Sequence, residues 1–351
     1  MIIKKTAKKL IDICRHWYYH SHSNKIAYKV LNCIESQKTK TDPSLIKMSN
    51  DYAIDVLGWK GFAPWLYVYS AIAKTFKEGW IPDNYYGKIV VPKLKGNYGK
   101  ISEYNALTSK FIESDFSPDC LYLVNGLWLS ADYQILSDNN ITEVAFKNCE
   151  KVVYKKDNST QGRGVYFFEK NNFDIQTLKL LGNGVLQKFI NQHPFFKEIV
   201  PNSVATIRIT TVITDAGAVS VRCCYLRVGN KSDTHVKSSS HIRIPININN
   251  GILDKYGYRT NWIQIESHPD TKYIFYNNKI PNFKKCIKTA LKLHKSVPFA
   301  RTIGWDMIVD ECDNVIIMEW NGWHNDIKFS EATQGPCFSD LNWEKLFKNK
   351  E

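Results

Sequence analysis

Apolar and polar positions alternate with a period of two along residues 301–326, in two short runs separated by Glu311-Cys312-Asp313-Asn314. Such alternation predicts two half-buried strands, and the polar break predicts the turn of a hairpin. In the register this turn implies, Asp310 faces Val315, Ile308 faces Ile317 and Asp306 faces Glu319. Asp306, Glu319 and Asn321 then share one face. Strand patterns also mark residues 152–156 and 165–169, which flank a polar, glycine-containing loop, and residues 185–190, 205–213 and 219–228. Along 205–213, Ala205, Ile207 and Ile209 point one way and Thr206, Arg208 and Thr210 the other; Arg222 and Arg227 fall on opposite faces of the following run. Residues 121–129 read as a further hairpin turning at Asn125-Gly126.

Helical spacing governs the first hundred residues. Leu10, Ile13, Cys14 and Trp17 form a stripe among Lys4, Lys5, Lys8, Lys9 and Arg15, a basic amphipathic helix. The expectation is that this stripe packs on its own domain, burying Leu10, Ile13 and Trp17; the alternative is an anionic membrane surface. Residues 43–80 are helical and aromatic-rich, 87–92 (GKIVVP) read as a buried strand, and 102–112 as a helix carrying Lys110. Asn140 with Glu143 resembles a capping box opening a helix towards Cys149. Helices mixed with antiparallel hairpins predict an α+β fold.

Composition narrows the classes. A chain of 351 residues exceeds one ordinary core, and 44% apolar with 13% aromatic residues excludes a disordered chain. No run of about 18 apolar residues spans a membrane. Asp12, Arg15 and His16 interrupt any signal-peptide core. Nine cysteines, an odd number without a CxxC pair, predict a reduced, cytoplasmic protein. The net charge of +13 predicts anionic partners: nucleotides, sugar nucleotides, lipid-linked diphosphates, a membrane surface or nucleic acid.

Two stretches carry chemistry. Like charges directly opposite on a hairpin are destabilising, so a cation is expected near Asp306 and Glu319. Two carboxylates and the Asn321 amide, without Cys or His, favour Mg²⁺ over Zn²⁺; a surface hairpin with scattered acids is the alternative. In KVVYKKDNSTQGRGVYFFE, glycines together with Ser159, Thr160 and Lys155 or Lys156 suit an anion, although this is neither a Walker loop nor a Rossmann turn. Arg208 among threonines suits an oxyanion or a solvated face. The polar 229–243 stretch is a lid or a mobile segment, and its His235 and His241 lack metal-ligand spacing.

In order along the chain, KKDNSTQGRGV, VLQKFI, SVATIRITTVI and GWDMIVDECDNVIIMEWNG resemble the ATP-grasp superfamily, over roughly residues 110–325. NALTSKF, QHPFFKEIVPNSVATIRI and the LRVGN to IPININNGIL segment resemble its sugar-transfer-associated, surface-polysaccharide branch. The resemblance implies two α+β subdomains clamping ATP, roughly 101–185 and 186–351, after a helical region over 1–100. It implies that Lys155 and Lys110 bind phosphate and that Ser159, Gly162 and Gly164 cover the β- and γ-phosphates. Gln187, Lys188 and Ile190 would meet adenine, and Arg208 would steady an acyl-phosphate. Asp306, Glu319 and Asn321 would hold Mg²⁺, with Glu319 bridging two ions. Lys156, Lys188 and the WHNDI segment depart from the family's frequent Pro, acid and Pro-Gly. The implied activity is an ATP-dependent carboxylate–amine ligase, joining an amino acid or amine to a uronic acid on a soluble or lipid-linked sugar, with peripheral contact at the inner membrane face through the basic N-terminus. A phosphotransferase, or a basic nucleotide- or membrane-binding protein without catalysis, are the alternatives; nucleic acid is not the expected partner.

Overall fold

The computed structural model describes residues 2–159, 163–230 and 240–348, with side chains from Leu10 onward except that of Ser114. It divides into two compact units. The first comprises Met1–Gly96, Asn261–Ile263 and Asp326–Glu351, the second Asn97–Thr260 and Gln264–Asn325. The residues after 325 therefore fold with the first unit, whereas the expected division assigned everything beyond residue 100 to one domain.

The first unit is helical. Helix α1 (Ile2–Gln37) packs on α3 (Ala63–Ala73), which also packs against α2 (Pro43–Asp55). Asp42 starts α2: its carboxylate accepts the Ser44 amide at 2.8 Å, and Pro43 occupies the first turn, where no N–H is needed. Among the described side chains of α1, the buried ones belong to its later part: His20, Ser23, Ala27, Val30, Leu31 and Ile34. Leu10, Ile13 and Trp17 are 58%, 55% and 69% exposed, which overturns the packed reading of the stripe. Length supplies the reason. At about 1.5 Å per residue, a helix of 36 residues far outruns one of 11.

Residues 87–92 are not a strand. A π-helical turn, Tyr86–Val90, leads into a helix, Val91–Lys95. A short apolar run does not by itself distinguish a buried helix from a buried strand. Here the Tyr86 amide bonds the Pro82 carbonyl at 2.8 Å, and Pro92 sits in the first turn of the second helix.

The second unit holds two antiparallel sheets. The six-stranded sheet contains β1 (Asp119–Val124), β2 (Leu127–Ser130), β3 (Ile135–Leu136), β4 (Lys151–Lys156), β5 (Val165–Glu169) and β6 (Gly184–Lys188), in the order β3-β2-β1-β6-β4-β5. Asn125 and Gly126, both at positive φ, make the expected turn between β1 and β2. The seven-stranded sheet contains β7 (Thr206–Ile213), β8 (Val219–Val228), β9 (Ile242–Pro245), β10 (Gly257–Tyr258), β11 (Gln264–Ile265), β12 (Thr302–Val309) and β13 (Val315–Asn321), in the order β11-β10-β9-β8-β7-β12-β13. Its core joins Ile207, Ile209, Leu226, Ile303 and Trp305 to Cys286, Ala290 and Leu293 on one face of the helix Phe283–Ser296.

Three local expectations change. Residues 102–112 form 3₁₀ turns, Tyr98–Glu103 and Asn105–Leu107, and one α turn, Thr108–Phe111, in place of one helix. The Asp157 carboxylate takes the Asn105 amide at 2.9 Å, a bond a continuous helix would claim. The helix Asp138–Ala145 starts from Ser137, so Asn140 lies inside its first turn and is not its cap. On the β12–β13 hairpin, Asp306 pairs with Glu319 as expected, but Met307 pairs with Ile317 and Val309 with Val315. Met318 is the extra, unpaired residue of a bulge.

Candidate functional site

Register builds the centre of the site. Glu319, Asp306, Arg208 and Tyr225 are successive cross-strand partners on β13, β12, β7 and β8. Paired residues share a face, so the four form one row across the sheet, with Arg227 two residues along from Tyr225 on the same side. Arg208 donates from Nε to Asp306 Oδ1 at 2.5 Å and from Nη2 to Oδ2 at 2.8 Å, and Arg227 Nη1 donates to Oδ2 at 3.0 Å. Arg208 Nη1 also reaches the Asn325 carbonyl at 3.3 Å. The oxyanion that Arg208 meets is thus a carboxylate of its own chain. Burial alone would raise the Asp306 pKa; the two guanidiniums outweigh it and hold the carboxyl below its ordinary range.

Lys155 enters from the six-stranded sheet. Its partly buried side chain donates from Nζ to the Met318 carbonyl at 3.0 Å, while Lys156 is exposed. The bulge supplies that carbonyl. Burial lowers the Lys155 pKa, against the attraction of Glu319, Asp119 and Asp306. Met318 and Glu319 line a narrow cleft with Asp119, Val185 and Gln187. Gln187 Nε2 donates to Asp119 Oδ1 at 2.7 Å, and Tyr122 Oη to Asp119 Oδ2 at 3.1 Å. Burial raises the Asp119 pKa in spite of these bonds and of Lys155.

The other expected residues make contacts of their own. Lys110 Nζ lies 3.9 Å from the centre of the Tyr133 ring. Ser159 Oγ folds back onto the Lys156 carbonyl at 2.6 Å. Gly164 is required by close approach: a Cβ there would stand 2.5 Å from the Ser159 side chain. Gly162 and Thr160 lie outside the described residues, as do residues 231–239 of the polar stretch, His235 among them. The Lys188 amide donates to the Pro118 carbonyl at 2.9 Å, and the Lys188 side chain is exposed. Neither Lys188 nor Ile190 lines the cleft; of the expected adenine contacts, Gln187 does.

Sequence reading missed two residues. Arg227 was legible as a member of a two-faced strand, and counting from Tyr225 across to Arg208 gives its side. Asp119 is one acid ahead of an apolar run, and no spacing singles it out.

The donor set fits the groups an ATP site needs. Gln187 Oε1 is buried and without a hydrogen-bond partner among the described residues, an acceptor suited to an amine-bearing ring. Asn321 Nδ2 donates to the Gly304 carbonyl at 3.3 Å, which leaves its oxygen available. Glu319 is exposed, and Asp306 keeps about one of its roughly four lone-pair directions. Among the described residues no three His, Cys, Asp or Glu side chains converge. An ion would therefore rest on two carboxylates, one amide and oxygens of the nucleotide, as suits Mg²⁺.

Residues 175–340 match the model of the sugar-transfer associated ATP-grasp family. That match covers a little under half of the chain. Among solved structures, this chain is similar to the biotin carboxylase domain of 2-oxoglutarate carboxylase from Hydrogenobacter thermophilus, in complex with MgADP, ADP and bicarbonate. The identity is 11% and the TM-score 0.42, over 72% of this chain and 46% of the other. It is also similar to N5-carboxyaminoimidazole synthetase from Staphylococcus aureus complexed with ADP, at 12% identity and TM-score 0.41, over 68% and 49% of the two chains. A third is the ATP-grasp ligase PsnB with a minimal precursor variant, Mg and ADP, at 10% identity and TM-score 0.41, over 73% and 61%. The chain spans about half the length of the first of these structures. No curated protein matches it in sequence.

Proposed function

We propose that this chain is an ATP-dependent carboxylate–amine ligase. The observation that carries the reading is the convergence of Lys155, Glu319 and the Arg208–Asp306–Arg227 cluster beside a cleft whose buried acceptor is Gln187 Oε1. That is the equipment of phosphoryl transfer, which asks for positioning and charge neutralisation more than for acid–base groups.

In the reaction, the γ-phosphoryl group passes from ATP to a carboxylate oxygen and ADP leaves. An amine nitrogen then attacks the carbonyl carbon, the C–O bond to phosphate breaks with its electron pair, and the amine proton passes to solvent. Lys155, with Ser159 and Gly164 of the loop, holds phosphate, and Lys110 supplies a second phosphate contact. Gln187 orients the base. Glu319 and Asn321, with Asp306, would hold Mg²⁺, two ions in the full complex, which would supply positive charge against that developing on the phosphates. Arg208 acts through Asp306, keeping it ionised and fixed, which revises the direct contact to acyl-phosphate that the resemblance implied. The sugar-transfer associated family match supports a sugar, such as a uronic acid of a surface polysaccharide, as one partner and an amino acid or amine as the other. The nine free cysteines support a cytoplasmic site of action.

Glu319→Gln tests the assignment. Turnover of ATP should fall by at least about a hundredfold, since removing a carboxylate from the metal site forfeits several kcal/mol in the transition state. The melting temperature should hold. Normal turnover in a folded variant refutes the metal role. Mass spectrometry with candidate uronic-acid sugars, amino acids, ATP and Mg²⁺ should find the amide; phosphorylation of a hydroxyl without consumption of amine would identify a phosphotransferase.

A further inference from the structure

Helix α1 changes character along its length. From His20 onward it contributes to the core of the first unit; before that, it leaves Leu10, Ile11, Ile13, Trp17 and Tyr18 at least half exposed. At 100° per residue, Leu10, Ile13, Cys14 and Trp17 fall within about a quarter of the circle, with Ile11 and Tyr18 beside them. Cys14 and Arg15 are exposed as well. An apolar face of this size on water needs an occupant. The sequence around it holds Lys4, Lys5, Lys8, Lys9 and Arg15 against one acid, Asp12, within a chain of net charge +13. An apolar strip bearing Trp and Tyr, bordered by cations, matches the boundary of an anionic bilayer, where aromatic rings sit at headgroup depth and lysines meet lipid phosphates. No described helix is long and apolar enough to cross a membrane.

We propose that the exposed first half of α1 is a docking surface for an anionic lipid bilayer, lying in the plane of the interface. The argument is charge complementarity together with an uncovered apolar face, and it is independent of the ligase reading. Docking would hold the second unit's chemistry near lipid-linked substrates. A second copy of the chain is the competing occupant, but four lysines within six residues would repel their counterparts across a parallel helix pair.

The test is vesicle flotation of the full chain with phosphatidylcholine alone and with phosphatidylcholine containing a third phosphatidylglycerol, at 50 mM and 500 mM salt. The wild type should float with the anionic vesicles and bind the neutral ones at least about a hundredfold less, each of several cations near the surface contributing about fivefold. Binding should weaken with salt. Lys4/Lys5/Lys8/Lys9→Glu should abolish flotation, and Leu10/Ile13/Trp17→Ser should weaken it at least about tenfold. Because the serine changes replace exposed side chains, its melting curve should match the wild type, and ATP turnover should be unchanged in both variants. Failure of the wild type to float at low salt overturns the proposal. So does equal binding to neutral vesicles, or a lipid-free dimer in light scattering that Leu10/Ile13/Trp17→Ser converts to monomer.

Discussion

Asp306 and Glu331 are both buried carboxylates, one in each unit, and they titrate in opposite directions. Asp306 meets two guanidiniums and stays ionised below the ordinary range. Glu331, in the helix Lys328–Gln334, takes the backbone amides of Ile81 and Cys337, each at 2.7 Å. Burial pushes its pKa up to about 7; the amides lower it only in part, and Lys77 contributes least. The lysines follow the same division. Lys95 of the first unit is driven well below its ordinary value by burial, while Lys155 of the second has three carboxylates opposing that effect. The first unit gives these buried ionisable groups local hydrogen bonds, backbone amides for Glu331 and the Tyr86 hydroxyl for Lys95. The second gathers them with opposite charges, which keeps full charge present in a dry site.

The strongest way to break this contrast is Asp306→Asn, which takes from buried Arg208 and half-buried Arg227 the carboxylate they share. A loss of about 3–5 kcal/mol is expected in urea unfolding at pH 7. A variant as stable as the wild type would show that the guanidiniums do not depend on Asp306.

The pH dependence comes next. A folded pKa below the unfolded value of about 3.9 means that the Asp306 contribution is present above roughly pH 4 and lost as pH falls through the folded value. Glu331 has the reverse sign. Its contribution is complete below roughly pH 4.5 and lost as pH rises through about 7, on the order of 3 kcal/mol in all. Glu331→Gln removes this slope. The variant should be about 1–3 kcal/mol less stable at pH 5, because one amide loses its acceptor, and the gap should close by pH 8. Unfolding curves separated by the same gap at both pH values would contradict the raised pKa.

The smallest effect sharpens the second unit's side of the contrast. Lys155→Ala should weaken nucleotide binding roughly tenfold in calorimetry, whereas Lys156→Ala, exposed on the other face of β4, should stay within about twofold. Equal losses would mean that the loop, and not the strand, delivers charge to the phosphates.

Strand periodicity made the α+β fold and most of the second unit legible. The hairpin is instructive because two offsets cancel. The expected pairing is one residue out beside the turn, where Val309 and not Asp310 meets Val315, and the bulge at Met318 restores it where Asp306 meets Glu319. Alternation reveals a face but carries no sign of an inserted residue. Arg208 was visible, but its partner was not, because strand order decides which oxyanion it meets. Asp119 and Glu331 left no pattern: each acts through tertiary contacts to residues 68 and 250 positions away. The α1 stripe was seen and its surroundings were misjudged, since an apolar stripe specifies that something covers it and leaves open what.

The bulge also limits how this hairpin can change over generations. Point substitutions at Met318 leave its carbonyl in place for Lys155, so the position is forgiving of identity. Length is another matter. Losing that single codon would leave Asp306 opposite Glu319 and Gly304 opposite Asn321, but it would remove the looped-out carbonyl that Lys155 grips. The bulge therefore tolerates a change of side chain at 318 but not the loss of the residue.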